Sequence, residues 1–393
     1  MGLDTVPPLV EHTNPAAKPG RLLSLDVLRG LTIGFMILVN NNGDGQNAYW
    51  ALKHAQWNGF TPTDLVFPTF LFLVGISTVL STATRLAQGA SKLSILLHTT
   101  RRTVILFLLG LLVNSFPFFH LHTLRIYGVL PRIAICYFVV SVLYLISPSW
   151  KSKVAIAVAA LVGYWALMRF VSVPGYGVPT HGVTLLDPDG NLAAWIDRQV
   201  FGASHLYEQT RDPEGLLSTL PALATALFGM VTGLWLRTSY TFVEKARGVA
   251  IAGVSSVLLG AAWSLEFPIN KKLWTSSYVL FAAGWSLLLL AGAIWLVDIQ
   301  GKGDIARQRK RYMVLLVLGM NSIAAYVFSE LLPGVLYLIR VGPNTNLRQW
   351  VYQGITSAIT DPALASLAYS LGFVAVCWLA MYPLYRNKIF LKI

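Results

Sequence analysis

Residues 63–83 read TDLVFPTFLFLVGISTVLSTA, with one ionisable side chain, Asp64, at the second position and none after it. A hydrocarbon core about 30 Å thick is crossed by about 20 such residues in a helix. The run is too long for a strand. A backbone in lipid must also satisfy its own polar groups, which a helix does. Further runs of the same kind lie near 22–41, 102–118, 128–147, 153–171, 216–236, 247–265, 274–298, 312–333 and 363–385. The expected fold is an all-α integral membrane protein, a bundle of about ten transmembrane helices.

Composition over the 393 residues agrees. The chain is 55% hydrophobic and 12% charged, with a mean hydropathy of +0.60. Soluble domains carry about twice that charge, and a water-soluble core does not absorb so much apolar surface. The net charge of +13 would point to nucleic acid in a soluble protein. Here it reads as basic loops facing the cytosol and anionic headgroups. Basic residues gather in every second connection: before the first run, at 85–102, 151–153, 237–247 and 302–311, and after 386. That alternation predicts both termini cytosolic. Residues 1–20, rich in Pro, Ala and polar side chains, read as a disordered cytosolic tail, with the first run as an uncleaved anchor. Residues 21–393 read as a single transmembrane domain. Cys136 and Cys377 fall in apolar runs and read as buried apolar side chains.

Three longer outer segments, 42–62, 172–215 and 334–362, hold most of the chemically able side chains. Ionisable groups in or beside apolar spans are expensive and mark function by default. Asp26 and Arg29 share one helix face and read first as a salt bridge at the inner edge. Asn40 ends the first span. Thr61, Pro62, Thr63 and Asp64 read as a capping box at the start of the second. That box does not explain His54, which lies in an aromatic, amide-rich re-entry with Trp50, Trp57 and Asn58. A second outer cluster carries Asp197, Arg198, His205, Glu208, Arg211, Asp212 and Glu214; a solvated loop accounts for it as well as an amine-binding role does. Lys271 and Lys272 stand outside against the positive-inside pattern, which hints at a purpose. Asn321 reads as an interhelical hydrogen bond, with Glu330 near the outer end of the same span. His120 and His122 have no further ligands near them, so no metal is expected. There is no GxGxxG, P-loop or GxSxG constellation.

At these residues the chain resembles the heparan-alpha-glucosaminide N-acetyltransferase family and its bacterial members. The stretches that carry the resemblance are SLDVLRGL, MILVN, LKHAQWNGFTPTDLVFP, FLVGIS, RIYGVL, WIDRQVFGASHLY, DPEGLLSTL, PINKKLWTSSYVL, GMNSIAAYV and LYRNKIFLKI, in that order from about residue 21 to 393. The resemblance implies a multi-pass acyltransferase domain over 21–393 in a bacterial inner membrane. It implies acetyl-CoA taken from the cytosol as co-substrate and an amino sugar acetylated on the far side, with a homodimer as one implied assembly. It makes His54 the catalytic residue, as general base or transient acetyl carrier, with Asn40 beside it. The expected chain has no luminal domain before its first span, unlike the animal enzymes. It has a longer 40–54 stretch, and VLPR at 129–132 where VLQR is usual. The expected acceptor is therefore glucosamine or a short glucosamine-containing sugar, not heparan sulfate.

Expected amino-sugar contacts are Asp64, Asp212, Glu214, Trp57, Asn58 and Lys272, the carboxylates suiting a cationic amine. Expected contacts to the CoA phosphates are Arg101, Arg102 and Arg237 on the inner side. The alternative function is an amino-sugar permease. It fits the spans and the polar interior, but the sequence has none of the inverted symmetry common in transporters.

Overall fold

The computed structural model describes residues 22–179, 187–301 and 304–391. The expected tail at 1–20 lies outside the described residues. The apolar runs become α1 Leu23–Asn40, α2 Val66–Ala87, α3 Lys92–Ser115, α4 Val129–Ile146 and α5 Trp150–Phe170. They continue with α7 Thr219–Leu236, α8 Phe242–Trp263, α9 Ser276–Ala293 and α14 Pro362–Arg386. A 3-10 turn, Pro62–Leu65, leads into α2, and a π turn, Ile294–Ile299, extends α9. Among the described residues nine helices are long and apolar enough to cross a membrane. The protein is an all-α integral membrane protein, as expected.

Two expectations need correction. The span at 102–118 begins ten residues earlier, because Ser91 accepts from the Ser94 N–H at 3.1 Å and starts α3 at Lys92. Hydropathy sees only the apolar part of a helix whose first turns are basic and exposed. The run at 312–333 is two helices, α11 Met313–Met320 and α12 Ser322–Leu338, bent by 82° at Asn321. Asn321 is 1% exposed and does not bond a neighbouring helix. Its Nδ2 donates to the Ile389 carbonyl at 3.1 Å and its Oδ1 accepts from the Leu391 N–H at 3.0 Å, so it fastens the segment after α14.

Shorter elements fill the connections. They are α6 Leu192–Phe201, α10 Ile305–Arg311, a hairpin of β1 Arg340–Gly342 and β2 Thr345–Asn346, and α13 Leu347–Ala358. The apolar window of α2 is 72% buried, against 22% for α3 and for α8, so α2 is central and α3 and α8 face outward. In lipid, helices associate through close packing of small residues. A Cβ on Gly75 would stand 2.0 Å from the Ala226 carbonyl oxygen, and one on Gly229 would stand 2.0 Å from that of Phe72. Thus α2 and α7 touch backbone to backbone. Gly75→Leu is expected to force them apart, at an overpacking cost of roughly 1–3 kcal/mol or more. Thermal unfolding in detergent measures it. Gly163→Ala, which meets open space inside α5, is the control that does not lower the midpoint.

Candidate active site

Asp64 is 1% exposed and has all its bonds inside the protein. Oδ2 accepts from the N–H groups of Ala55 at 3.1 Å and Thr61 at 3.0 Å. Oδ1 lies 2.7 Å from His54 Nδ1. The expected capping box is present, and the same carboxylate also orients the histidine. Two N–H donors on Oδ2, with the imidazole on Oδ1, favour the ionised carboxylate, which only accepts. His54 Nδ1 therefore carries the proton and Nε2 keeps its lone pair. The side chain is 42% exposed, so Nε2 is accessible. An imidazole so oriented serves as a base or a nucleophile.

Other bonds hold the loop that carries His54. Thr61 Oγ1 donates to the Lys53 carbonyl at 2.6 Å and Thr63 Oγ1 to that of Ala51 at 2.9 Å. The 264–275 connection docks on it through Gly59 N–H to the Ile269 carbonyl at 2.9 Å and Asn270 Nδ2 to Asn58 Oδ1 at 3.0 Å. Trp57 lies under two cations, Arg211 at 5.3 Å and Lys272 at 6.0 Å. Both bond Glu208, and Arg211 also bonds Asp189. Trp57, Asn58 and Lys272 are thus brought together on the rim beside His54, bonded to one another's loops.

Asp212 and Glu214 sit behind that rim. Arg125 donates to both Asp212 oxygens at 2.8 and 2.6 Å and to Glu214 at 2.5 Å. Arg132, fully buried, donates to Gly215 and Ser218 and lies 5.1 Å from the Trp274 ring. Both carboxylates therefore already hold an arginine. Asn40 does not bond His54; its Nδ2 donates to Glu330 Oε1 at 3.1 Å. Arg125 is the site residue that sequence reading passed over. Its signal was available, because it is a cation in an outer connection, like Lys271 and Lys272.

The opposite end of the bundle holds a cavity of about 1020 Å³. Arg29, Arg85, Arg102, Arg237 and Lys245 line it with His98, against one acid, Asp26. The expected Asp26–Arg29 pair is present at 2.9 Å. Arg102 lies over Tyr137 and Arg237 donates to the Tyr144 hydroxyl at 3.3 Å. Arg101 is exposed and does not line the cavity. Phe70, Leu106, Ile133 and Ile323 line both this cavity and a void of about 10 Å³ beyond it, which Tyr326 also walls. Tyr326 lies within electrostatic reach of Glu330, Glu214 and Arg125. Apolar side chains thus close the inner end of the basic cavity.

Residues 21–245 match a sequence model described as heparan-alpha-glucosaminide N-acetyltransferase, catalytic. The chain belongs to that family. The human heparan-alpha-glucosaminide N-acetyltransferase is 31% identical over 96% of this chain, and the mouse protein 30% over 95%. Those alignments cover 61% and 60% of the relatives, so the chain spans about three fifths of their length. The family match covers the His54 loop, Asp64, Arg125 and the Asp212–Glu214 segment. The Lys271 turn and Glu330 lie beyond it.

Titration follows from these surroundings. Partial burial and then the Lys271 ammonium push His54 below the ordinary imidazole value, against the pull of Asp64. Burial raises Glu214, but Arg125, Lys271 and Arg132 outweigh it and hold the carboxyl below its ordinary value. Burial lifts Asp197 to about 7, against one bond from the Leu216 N–H at 2.8 Å. Asp64→Asn removes the group that raises His54, so its midpoint should fall. The pH dependence of carbethoxylation, counted against His54→Ala, reads it. Asp197 has a folded value above its unfolded one, so it stabilises the fold at low pH. That contribution is lost as pH rises through about 7. Between pH 5 and pH 8 the wild type should lose on the order of 2 kcal/mol more stability than Asp197→Asn, measured by thermal unfolding at each pH.

Proposed function

We propose that the protein is an acetyltransferase that takes acetyl from acetyl-CoA bound in the basic cavity. It delivers the group to the amine of glucosamine, or a glucosamine-containing sugar, at the His54 end. One observation carries this reading. An oriented imidazole and a cavity rich in cations lie at opposite ends of one bundle, with apolar side chains between them. Phosphates are bound by clustered arginines, and five cations against one acid suit a polyphosphate substrate. Arg102 and Arg237 are the phosphate contacts within that set, and Arg29 and Arg85 join them. Arg101, facing away, is a weaker candidate. The void between the two ends, about 10 Å³, has to widen for the thioester arm to reach toward His54.

The chemistry is aminolysis of a thioester. The amine nitrogen attacks the acetyl carbon, the C–S bond breaks, and the amine proton passes to His54 Nε2 and on to the thiolate. In a carrier route, Nε2 takes the acetyl group first and hands it to the amine. Asp64 holds the imidazole in either case and offsets the charge it gains. Asp212 and Glu214 contribute through Arg125, which they fix at the rim. Asn40, tied to Glu330, orients substrate. Trp57, Asn58 and Lys272 form the sugar-facing rim.

Basic residues cluster around the cavity, so it faces the cytosol, with both termini on that side. His54 then faces the periplasm of a bacterial inner membrane. The 82° break in the ninth span is the one observation that favours a permease, since transporters use broken helices in matching halves. Among the described residues no second span is broken in that way.

Purified protein with radiolabelled acetyl-CoA and glucosamine tests the proposal. Wild type should form labelled N-acetylglucosamine. His54→Ala should lose on the order of 10²- to 10⁴-fold in kcat. Arg102→Glu with Arg237→Glu should raise KM for acetyl-CoA while leaving sugar KM near wild type. Sugar uptake by proteoliposomes without acetyl-CoA, and no labelled product, would favour the permease.

A further inference from the structure

Arg125, Arg211 and Lys272, the cations around the outer site, are ion-paired. Arg132 is bonded to Gly215 and Ser218. Among the described residues the Lys271 ammonium makes no hydrogen bond and no ion pair. Its backbone is nevertheless fixed. Thr275 N–H reaches the Asn270 carbonyl and Trp274 N–H that of Lys271, each at 3.1 Å, and Leu273 N–H reaches Asn270 Oδ1 at 2.9 Å. The bonds from Asn270 to Asn58 and from Gly59 to Ile269 then lock this turn to the His54 loop. Lys271 acts electrostatically on His54 and Glu214; burial, with Arg132 and Lys272, holds its amine below the ordinary lysine value, while Glu214 and Asp64 favour the ammonium. Of the two lysines that break the positive-inside pattern, Lys272 is engaged by Glu208. Lys271 is held in place with its head group unspent.

We propose that Lys271 is a catalytic residue of the acetyl transfer, its ammonium donating a hydrogen bond to the acetyl oxygen as the carbonyl becomes a tetrahedral alkoxide. This rests on the acetyltransferase reading above. The attacking nitrogen, from the amine or from His54, bonds to the acetyl carbon. The C=O π pair moves to oxygen, where Lys271 meets the charge and keeps its proton. In direct transfer, collapse restores C=O and expels the CoA thiolate, which takes the amine proton through His54. In the carrier route the thiolate leaves first from the His54 adduct. The amine then attacks acetyl-His54 and expels the imidazole, whose freed Nε2 takes the amine proton. Opposite charges develop at the imidazole and at the oxygen. Asp64 answers the first and Lys271 the second. A donor to the developing oxyanion contributes on the order of 10²- to 10³-fold to kcat.

The test compares wild type, Lys271→Met and Lys271→Arg in the labelled transfer assay across pH. A second readout is His54 carbethoxylation against pH, counted against His54→Ala. Lys271→Met should lose on the order of 10²-fold in kcat, with KM for acetyl-CoA within about twofold. Its acid limb and its His54 midpoint should both move to higher pH, because a cation facing the imidazole is gone while Asp64 and Glu214 remain. Lys271→Arg should recover part of the rate. Wild-type kcat in Lys271→Met overturns the proposal. So does a slower variant whose limb stays put and which arginine does not rescue. If wild type acetylates no glucosamine, the acceptor reading fails by itself. The carbethoxylation midpoint then decides Lys271, an unchanged value overturning the proposal and an upward shift supporting it.

Discussion

The Asp64 carboxylate accepts from His54 through one oxygen and from the Ala55 and Thr61 N–H groups through the other. A buried charge is tolerable only when it is fully bonded, and here the bonds come from the loop it must position. The same residue sits in the turn that starts α2, the most buried of the spans, and its carbonyl accepts from the Tyr278 hydroxyl of α9 at 2.7 Å. The imidazole is therefore not carried by a free loop. Its orientation is tied to the centre of the bundle, and disturbing either one disturbs the other.

Charge is divided between the two ends. The histidine end sets Asp64, Asp212 and Glu214 against Arg125, Arg132 and Lys271, with Arg125 closing two carboxylates at once. The cavity end is left with an excess of cations. Balanced, rigid charge suits a place where charge develops during reaction, while unbalanced positive charge suits a place that must attract phosphates. Apolar side chains around a void of about a single water's space lie between them.

The spans were legible because lipid imposes a requirement of length and polarity that hydropathy alone detects. What escaped needed three-dimensional information. Asn321 is one amide in a long apolar run, and only its bonds to Ile389 and Leu391 show that the helix breaks there. In the site, Asp64 read correctly as a cap, but its bond to His54 needed the loop between them to fold back. Arg125 finds its partners 87 and 89 residues away, beyond any local pattern. Arg101 and Arg102 look alike in sequence, yet adjacent residues point about 100° apart around a helix, and only Arg102 faces the cavity. Helix register, set by packing of α3 on α4, made that choice.

Phe390 and Leu391 line the basic cavity, and Asn321 fastens their segment. Neither residue belongs to a span: both follow α14, and they reach the cavity only because their segment folds back onto the kink between α11 and α12. That part of the wall is thus a product of tertiary assembly, and a change that released Ile389 and Leu391 from Asn321 would open it while every helix around the cavity kept its hydrogen bonds.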